Sequence, residues 1–269
     1  MKKVSSFLMA SSLLSSLIAC GGPAPQPFPG SMNMMRPGPQ INAMRAPVMF
    51  NNLNNTRTGS GKLRLATYNI RNLFDGVQTP GKEAEKAKPE KELQALSEAM
   101  HHINADVIGL QEVETKEVLT QFRDRFLGDM GYREVVLVEG NDPRGIDVAL
   151  FSRYPVLDVK SHKEARFEVP GQGVMGLSRD LLQVRIQGPN NYIFTVFVAH
   201  LKSHHGGAEA DIRRNAEAKK IREILDQFAM QNPKENVVVM GDFNDPPRSP
   251  HLAPITQPAL RGGMNLNDL

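Results

Sequence analysis

Short apolar runs along this chain stop abruptly at polar residues. Val237-Val238-Val239-Met240 has strand length and no polar side chain, which predicts a strand covered on both faces. It ends in Gly241-Asp242-Phe243-Asn244. The glycine permits a close approach of backbone. Asp242 and Asn244, two residues apart, would project to the same side of an extended chain. Residues 63–69, 107–112 and 192–200 repeat the pattern and end in Asn69, Glu112 and His200. Each of these residues has a bland reading on its own, as an ion-paired cap, a surface group or a satisfied core residue. Their recurrence at four strand ends, where α/β proteins carry chemistry, points to one site. An anion beside a neutral amide suits a centre that handles a metal, a water and a phosphate oxygen together.

Between these runs the period changes from two to that of a helix. Pro89 suits a first helical turn. Leu93, Leu96, Met100 and Ile103 follow at helical spacing and predict a buried stripe, with His101 and His102 on the polar face near the C-terminal end. A second helix is predicted over 114–129. A third, over 208–230, should turn Ile212, Ile221, Ile224, Leu225 and Phe228 inward. Further strands are predicted near 133–138, 147–151, 156–160 and 181–186, the last forming a hairpin around 188–191. The alternation is that of an α/β protein. Asp147 interrupts an apolar strand and reads as a carboxylate that orients another side chain. Residues 74–88, 140–144, 167–178 and 204–210 read as loops that would set specificity. His204 and His205 fall in the last of these, as solvent residues.

The N-terminal sixty residues follow different rules. Lys2 and Lys3 precede an apolar, serine-interrupted stretch over 7–18, and Leu17-Ile18-Ala19-Cys20 follows. The stretch is too short to span a bilayer as a helix and reads as a signal peptide. The only cysteine falls where bacterial lipoproteins are cleaved and acylated, so Cys20 is the expected lipidation site. Residues 21–60 are rich in Pro, Gly, Met and Asn, contain no acid and show no period, as expected of a flexible tether. The expected organisation is therefore signal peptide 1–20, tether 21–60 and a catalytic-type domain 61–269.

The formal charge of the whole chain is +3. Lys2 and Lys3 carry two of those charges and Arg36, Arg45 and Arg57 three more, which leaves 61–269 at −2. That balance gives no support to a strong nonspecific nucleic-acid surface. With a single cysteine, two-cysteine metal motifs are excluded.

Five stretches together resemble the endonuclease/exonuclease/phosphatase superfamily. They are Tyr68-Asn69-Ile70; Leu110-Gln111-Glu112-Val113; 144–150 with Ser152-Arg153-Tyr154-Pro155; His200-Leu201-Lys202-Ser203; and Gly241-Asp242-Phe243-Asn244. The resemblance runs from about Lys62 onward. It implies a four-layer α/β sandwich, two packed mixed β-sheets flanked by helices. The family's near-terminal Asp-His pair has no counterpart here, since Asp268 is followed by Leu269. That predicts a sandwich whose last strand or strands are missing.

The resemblance also implies roles. Glu112 would be the principal Mg²⁺ ligand, with Mn²⁺ as a substitute, and Asn69 and Asp242 would complete the metal set. Asp242 would orient or deprotonate the attacking water. Asn244 would hold a phosphate oxygen, and His200 would donate to the phosphate or the leaving oxygen. Asn69, Arg179 and Lys202 would assist in binding substrate. The function implied is a Mg²⁺-dependent phosphoesterase, nuclease-like or phosphomonoesterase, working as a monomer on a phosphate-ester substrate that includes nucleic acid as an option. Lipidation would place it in the bacterial cell envelope. The alternative is an inactive surface binding module that keeps the fold without the terminal Asp-His pair.

Overall fold

The computed structural model describes residues 62–78, 80–82, 85–246 and 248–256. Ten strands and four α-helices follow in the order β1 (Leu65–Leu73), α1 (Glu90–Ile103), β2 (Val107–Val113), α2 (Lys116–Phe126), β3 (Glu134–Leu137), β4 (Asp147–Ser152), β5 (Val156–Lys160), β6 (Arg166–Val169), β7 (Gly173–Gly176), β8 (Leu182–Gln187), β9 (Ile193–His200), α3 (Gly207–Gln231), β10 (Asn236–Asp242) and α4 (Ala253–Thr256). They build two four-stranded sheets, ordered β1-β2-β4-β3 and β10-β9-β8-β5, and a separate β6–β7 hairpin.

Each large sheet contains one parallel pair, β1 with β2 and β9 with β10. These are the pairs joined through a helix, α1 in one sheet and α3 in the other. A parallel connection needs such a crossover, whereas the antiparallel pairs β3–β4 and β8–β9 are consecutive strands. The architecture therefore uses the same β-α-β unit once per sheet. Each unit carries two of the expected polar residues: Asn69 and Glu112 in one, His200 and Asp242 in the other.

The alternation of side chains sorts the core into layers. Val196, Val198, Val238 and Met240 face the other sheet and pack with Val107, Val148, Leu150, Leu182 and Val184. Their neighbours Phe197, Ala199, Val237 and Val239 face outward onto Ile221 and Leu225 of α3. On the far side, Ile108 and Leu110 of β2 and Phe151 of β4 meet Leu96 and Met100 of α1 and Leu119 and Phe122 of α2. The result is helix, sheet, sheet, helix, the four-layer sandwich expected. The sheets approach closely at Gly109, where an added Cβ would lie 3.0 Å from Met240 Sδ and 3.1 Å from a Val198 methyl.

The helix boundaries follow local chemistry. Pro89 precedes the first turn of α1, whose start carries Glu90 and Glu92 and whose end carries His101 and His102. Asn104 ends it in the left-handed conformation. The Thr115 side chain accepts from Val118 N to open α2.

Four expectations need correction. Ile212 is 42% exposed rather than inward, because the buried face of α3 begins with Ala210 and Arg214. His101 is buried, its Nδ1 donating to Ser97 O at 2.8 Å and its Nε2 lying 3.0 Å from Asp129 Oδ1. Part of 167–178, read as loop, is the β6–β7 hairpin; its turn holds Pro170 and Gly171, the latter at φ 76°. Asp147 orients backbone rather than a side chain, accepting from Gly140 N at 2.8 Å. The expected signal peptide, tether and Cys20 lie outside the described residues, as does the segment 257–269 on which the expected loss of a last strand falls. Among the described residues no helix is long and apolar enough to cross a bilayer.

Candidate active site

The two β-α-β units meet at their strand ends. There the side-chain amide of Asn69 donates to Glu112 Oε1 at 2.8 Å and to Asp242 Oδ2 at 2.9 Å. One amide nitrogen thus holds two carboxylates that belong to different sheets. The Asn69 oxygen accepts from Arg71 N at 2.9 Å, which fixes the orientation of the amide. In this orientation the NH₂ group faces the carboxylates. Asn69 therefore organises the expected ligands Glu112 and Asp242, rather than offering its oxygen alongside theirs.

Backbone geometry places both acids. Glu112 has φ 66°, and the β2 ladder slips register between Gln111 and Val113. A bulge of this kind re-aims a side chain at the end of a strand. Arg71 and Asn72 of β1 also have positive φ, of 53° and 59°, and Asn72 N donates to Glu112 Oε2 at 3.1 Å. Asn69 accordingly lies inside β1, four residues before its end, rather than at the terminus. Across the fold, Gly241 at φ 152° leaves no room for a side chain, since a Cβ would fall 2.0 Å from Ala199 O. The close approach anticipated for this glycine is to the neighbouring strand β9.

Asp242 and Asn244 do not project side by side. The chain turns after Asp242, with Asn244 N donating to Asp242 Oδ1 at 2.9 Å and Asn244 at φ 51°. This is a local turn closed by an aspartate side chain. The Asn244 amide donates to Leu201 O at 2.9 Å, so it ties the β10 end to the segment after β9.

His200 pairs in register with Asp242 and is buried. Its Nδ1 is enclosed and finds no hydrogen-bond partner among the described residues. Burial, and then the Arg179 charge, push the imidazole down to about 3 against the opposing pull of Asp242. His200 is therefore neutral at physiological pH and can donate one N–H without carrying charge.

Arg179 is mostly buried, its Nε 3.0 Å from Asp142 Oδ2 in an ion pair that lacks a directed N–H hydrogen bond. Its Nη1 lies 3.4 Å from Leu201 O. Lys202 is held below the ordinary lysine range by burial and by Arg179 and Arg213. Both cations thus stand beside the strand ends.

Two supporting residues were not anticipated. Glu217 is fully buried and accepts from Ser178 N at 2.9 Å, Ser178 Oγ at 2.5 Å and Lys202 N at 2.7 Å. Arg214, also fully buried, donates to Asp245 Oδ2 at 2.7 Å and to Lys202 O at 3.1 Å, and pairs with Asp211. Their signal was present in the sequence: Arg214 and Glu217 share the spacing of Ala218, Ile221 and Leu225, so two charges sit on the apolar face of α3. A charge on such a face is buried only when paired. Asp142, the partner of Arg179, carried no comparable signal.

His204 and His251 belong to this outer network. His204 Nδ1 is 3.2 Å from Arg214 Nη2, and His251 Nδ1 is 3.0 Å from Asp245 Oδ2. His205 is exposed.

The donor set bears on the expected metal. Glu112 and Asp242 supply hard anionic oxygens at one point, each oxygen taking a single donor and keeping a lone pair. Mg²⁺ is typically held by one or two carboxylates together with water and substrate oxygens, so the residues present fit such an ion. Among the described residues no group of three or more His, Cys, Asp or Glu gathers as a self-sufficient metal cage.

Comparison with known proteins bears on the family and the fold. A model of the endonuclease/exonuclease/phosphatase family matches residues 64–259. No curated protein matches by sequence. Among solved structures, a β-hairpin deletion mutant of beta toxin from Staphylococcus aureus is similar with a TM-score of 0.50 and 17% identity, over 72% of this chain and 73% of that one. The catalytic domain of human nocturnin with bound sulfate is similar with a TM-score of 0.50 and 20% identity, over 71% and 67%.

Proposed function

Since the chain belongs to the endonuclease/exonuclease/phosphatase family, whose phosphoesterase fold it has, we propose that it is a Mg²⁺-dependent phosphoesterase. Mn²⁺ would substitute. The observation that carries this reading is the Asn69 amide shared between Glu112 and Asp242 beside a buried, neutral His200.

A divalent ion at this centre would neutralise phosphate charge and stabilise the leaving oxygen. The residues of the chain do the rest. Glu112 and Asn69 hold the anionic centre in one geometry. Asp242 has one oxygen tied to Asn244 N and the other to the Asn69 amide, so its remaining lone pairs orient an attacking water. Arg179 and Lys202 draw the phosphate towards the strand ends. His200 donates its N–H to a phosphate or leaving oxygen and remains neutral before and after. The Asn244 amide, engaged with Leu201 O, positions the turn; its role as a phosphate ligand requires that bond to exchange.

The test is Mg²⁺-dependent hydrolysis of a simple phosphodiester and a simple phosphomonoester by the chain from residue 21 onward. Asp242→Asn should lower turnover by about 10²-fold or more, comparable to loss of one polar transition-state group. Glu112→Gln should weaken Mg²⁺ binding with little change in melting temperature. A cooperatively melting protein without Mg²⁺-dependent turnover on either ester would overturn the enzymatic reading in favour of a binding module.

The same reading takes residues 1–20 as a lipoprotein signal, 21–60 as tether and 61–269 as the phosphoesterase domain, with the monomer held in the cell envelope through Cys20. It rests on the sequence pattern around Cys20. Labelling with a radioactive fatty acid, lost in Cys20→Ser, tests it.

A further inference from the structure

A cleft of about 630 Å³ lies between residues 141–144, the β6–β7 hairpin with the segment that follows it, and the stretch between β9 and α3. These are three of the four segments expected to set specificity. The fourth braces the first, through Lys82 Nζ donating to Asp142 O at 3.0 Å and Arg144 Nε to Glu85 Oε1 at 2.7 Å. Five cationic side chains line the cleft: Arg144, Arg166, Arg179, Lys202 and Arg213. Among the described lining residues, Asp142 is the one carboxylate.

The positive charge is only partly compensated, and least at Arg166 and Lys202; Arg144 is paired with Glu85. Asp142 is committed to Arg179. Arg213 lies 3.4 Å from the buried Glu217 carboxylate, without a directed N–H hydrogen bond. The nearest carboxylate to Arg166 is Glu164, 3.6 Å away and 81% exposed, where solvent screens the pair. Lys202 stands among Arg179 and Arg213 on one side of the balance and Glu217 and Asp142 on the other. Cations gathered this way in a concave surface repel one another until an anion enters.

Arg166 is also held in place. Its Nη1 donates to Lys163 O at 3.0 Å and to Ala165 O at 3.2 Å. It lies over Gly176, where a Cβ would come within 3.0 Å of the same nitrogen. A guanidinium pre-oriented by backbone carbonyls loses little freedom on taking up a phosphate.

The cleft adjoins the carboxylate centre at Leu201, whose carbonyl lies 3.4 Å from Arg179 Nη1 and accepts from the Asn244 amide at 2.9 Å. Arg179 and Lys202 suffice for one phosphate at the strand ends. Arg166 and Arg213 are surplus to that task and line the same cleft. We propose that this cleft is a second-anion subsite, holding a phosphate other than the one hydrolysed, so that the preferred substrate carries at least two phosphates. The second phosphate belongs either to a polynucleotide backbone or to a small bisphosphate. The hydrolysed phosphate in this statement is that of the function proposed above.

Binding and turnover test it separately. In metal-free buffer the carboxylate centre repels anions, so calorimetry with inorganic tripolyphosphate reads the cleft alone. Tripolyphosphate should bind at least tenfold tighter than orthophosphate. Arg166→Glu should weaken it at least tenfold with an unchanged melting temperature, and Arg213→Ala at least threefold. Tripolyphosphate binding that is absent, or equal in wild type and Arg166→Glu, overturns the subsite. In the turnover arm, a 5′-phosphorylated dinucleotide should exceed its unphosphorylated counterpart in kcat/KM at least tenfold, and Arg166→Glu should erase that ratio. Equal kcat/KM for the two also overturns the subsite. No turnover on either, with tripolyphosphate binding lost in Arg166→Glu, retains the anion site and sinks the phosphoesterase reading instead. Oligonucleotides of increasing length then identify the source: affinity that keeps rising, with a steepening salt dependence, marks a polynucleotide, and saturation at two phosphates marks a small bisphosphate.

Discussion

The amide nitrogen of Asn69 stands 2.9 Å from Oδ2 of Asp242, 173 residues further along the chain. The same nitrogen holds Glu112, so the two sheets meet at a single donor between two carboxylates. Asn69→Ala removes that donor. The expected cost is about 1–3 kcal/mol in metal-free buffer, from two acceptors left facing one another. At about 2–4 °C per kcal/mol for a domain of this size, a thermal melt resolves the loss. Mg²⁺ should narrow the gap from wild type by supplying charge where the amide was. A variant that melts with wild type in metal-free buffer would refute the shared-donor role.

Asp147 gives a pH dependence whose sign is set by burial. Burial raises its carboxyl to about 7 from an ordinary 3.8, against the Gly140 hydrogen bond and the Lys82 charge. Between those values the folded protein holds a proton that the unfolded chain has released. Stability is therefore lost as pH rises from about 4 to 7, by ~4 kcal/mol at most at about 1.4 kcal/mol per unit. Asp147→Asn keeps an oxygen for Gly140 N and removes the titration. Urea melts at pH 5 and pH 8 should show a smaller difference for the variant than for wild type, with the variant favoured at pH 8.

Two glycines in facing strands make a contrast. A Cβ at Gly241 would fall 2.0 Å from Ala199 O, a backbone atom that cannot yield without breaking the β9–β10 ladder. Gly241→Ala should cost more than about 4 kcal/mol or prevent folding. The atoms nearest to a Cβ at Gly109 belong to the side chains of Met240 and Val198, which can repack. Gly109→Ala should cost about 1–3 kcal/mol. Paired urea melts separate the two; similar losses would mean that the β10 end is not pinned to β9.

Arg214 is fully buried and spans Asp245, Asp211 and Lys202 O. Its removal leaves Asp245, almost fully buried, without its main cation. Arg214→Met should cost about 3–5 kcal/mol. Asp245→Asn in the same background should recover part of the loss, because it neutralises the orphaned charge. Denaturant melts of the single and double variants measure the coupling.

Much of this molecule was legible along the chain. The both-face burial of 237–240, the helical stripe of Leu96 and Met100, and the recurrence of polar residues at strand ends are local patterns. Local patterns follow from the periods of the helix and the strand. They determined the α/β class, the helix positions and the identity of Asn69, Glu112, His200 and Asp242 as a set. The sequence did not determine orientation. That Asn69 donates to both carboxylates, that Glu112 reaches the site through a left-handed bulge, and that Asn244 turns back onto Leu201 all depend on partners 40 or more residues away. The burial of Arg214 and Glu217 likewise required α3 to lie on the strand ends, since a charge on an apolar stripe reads as an interruption until its partner is in view. The cationic cleft is the clearest case. Its residues come from three separate segments of a domain whose formal charge is negative, and composition averages over a surface that only the tertiary fold divides.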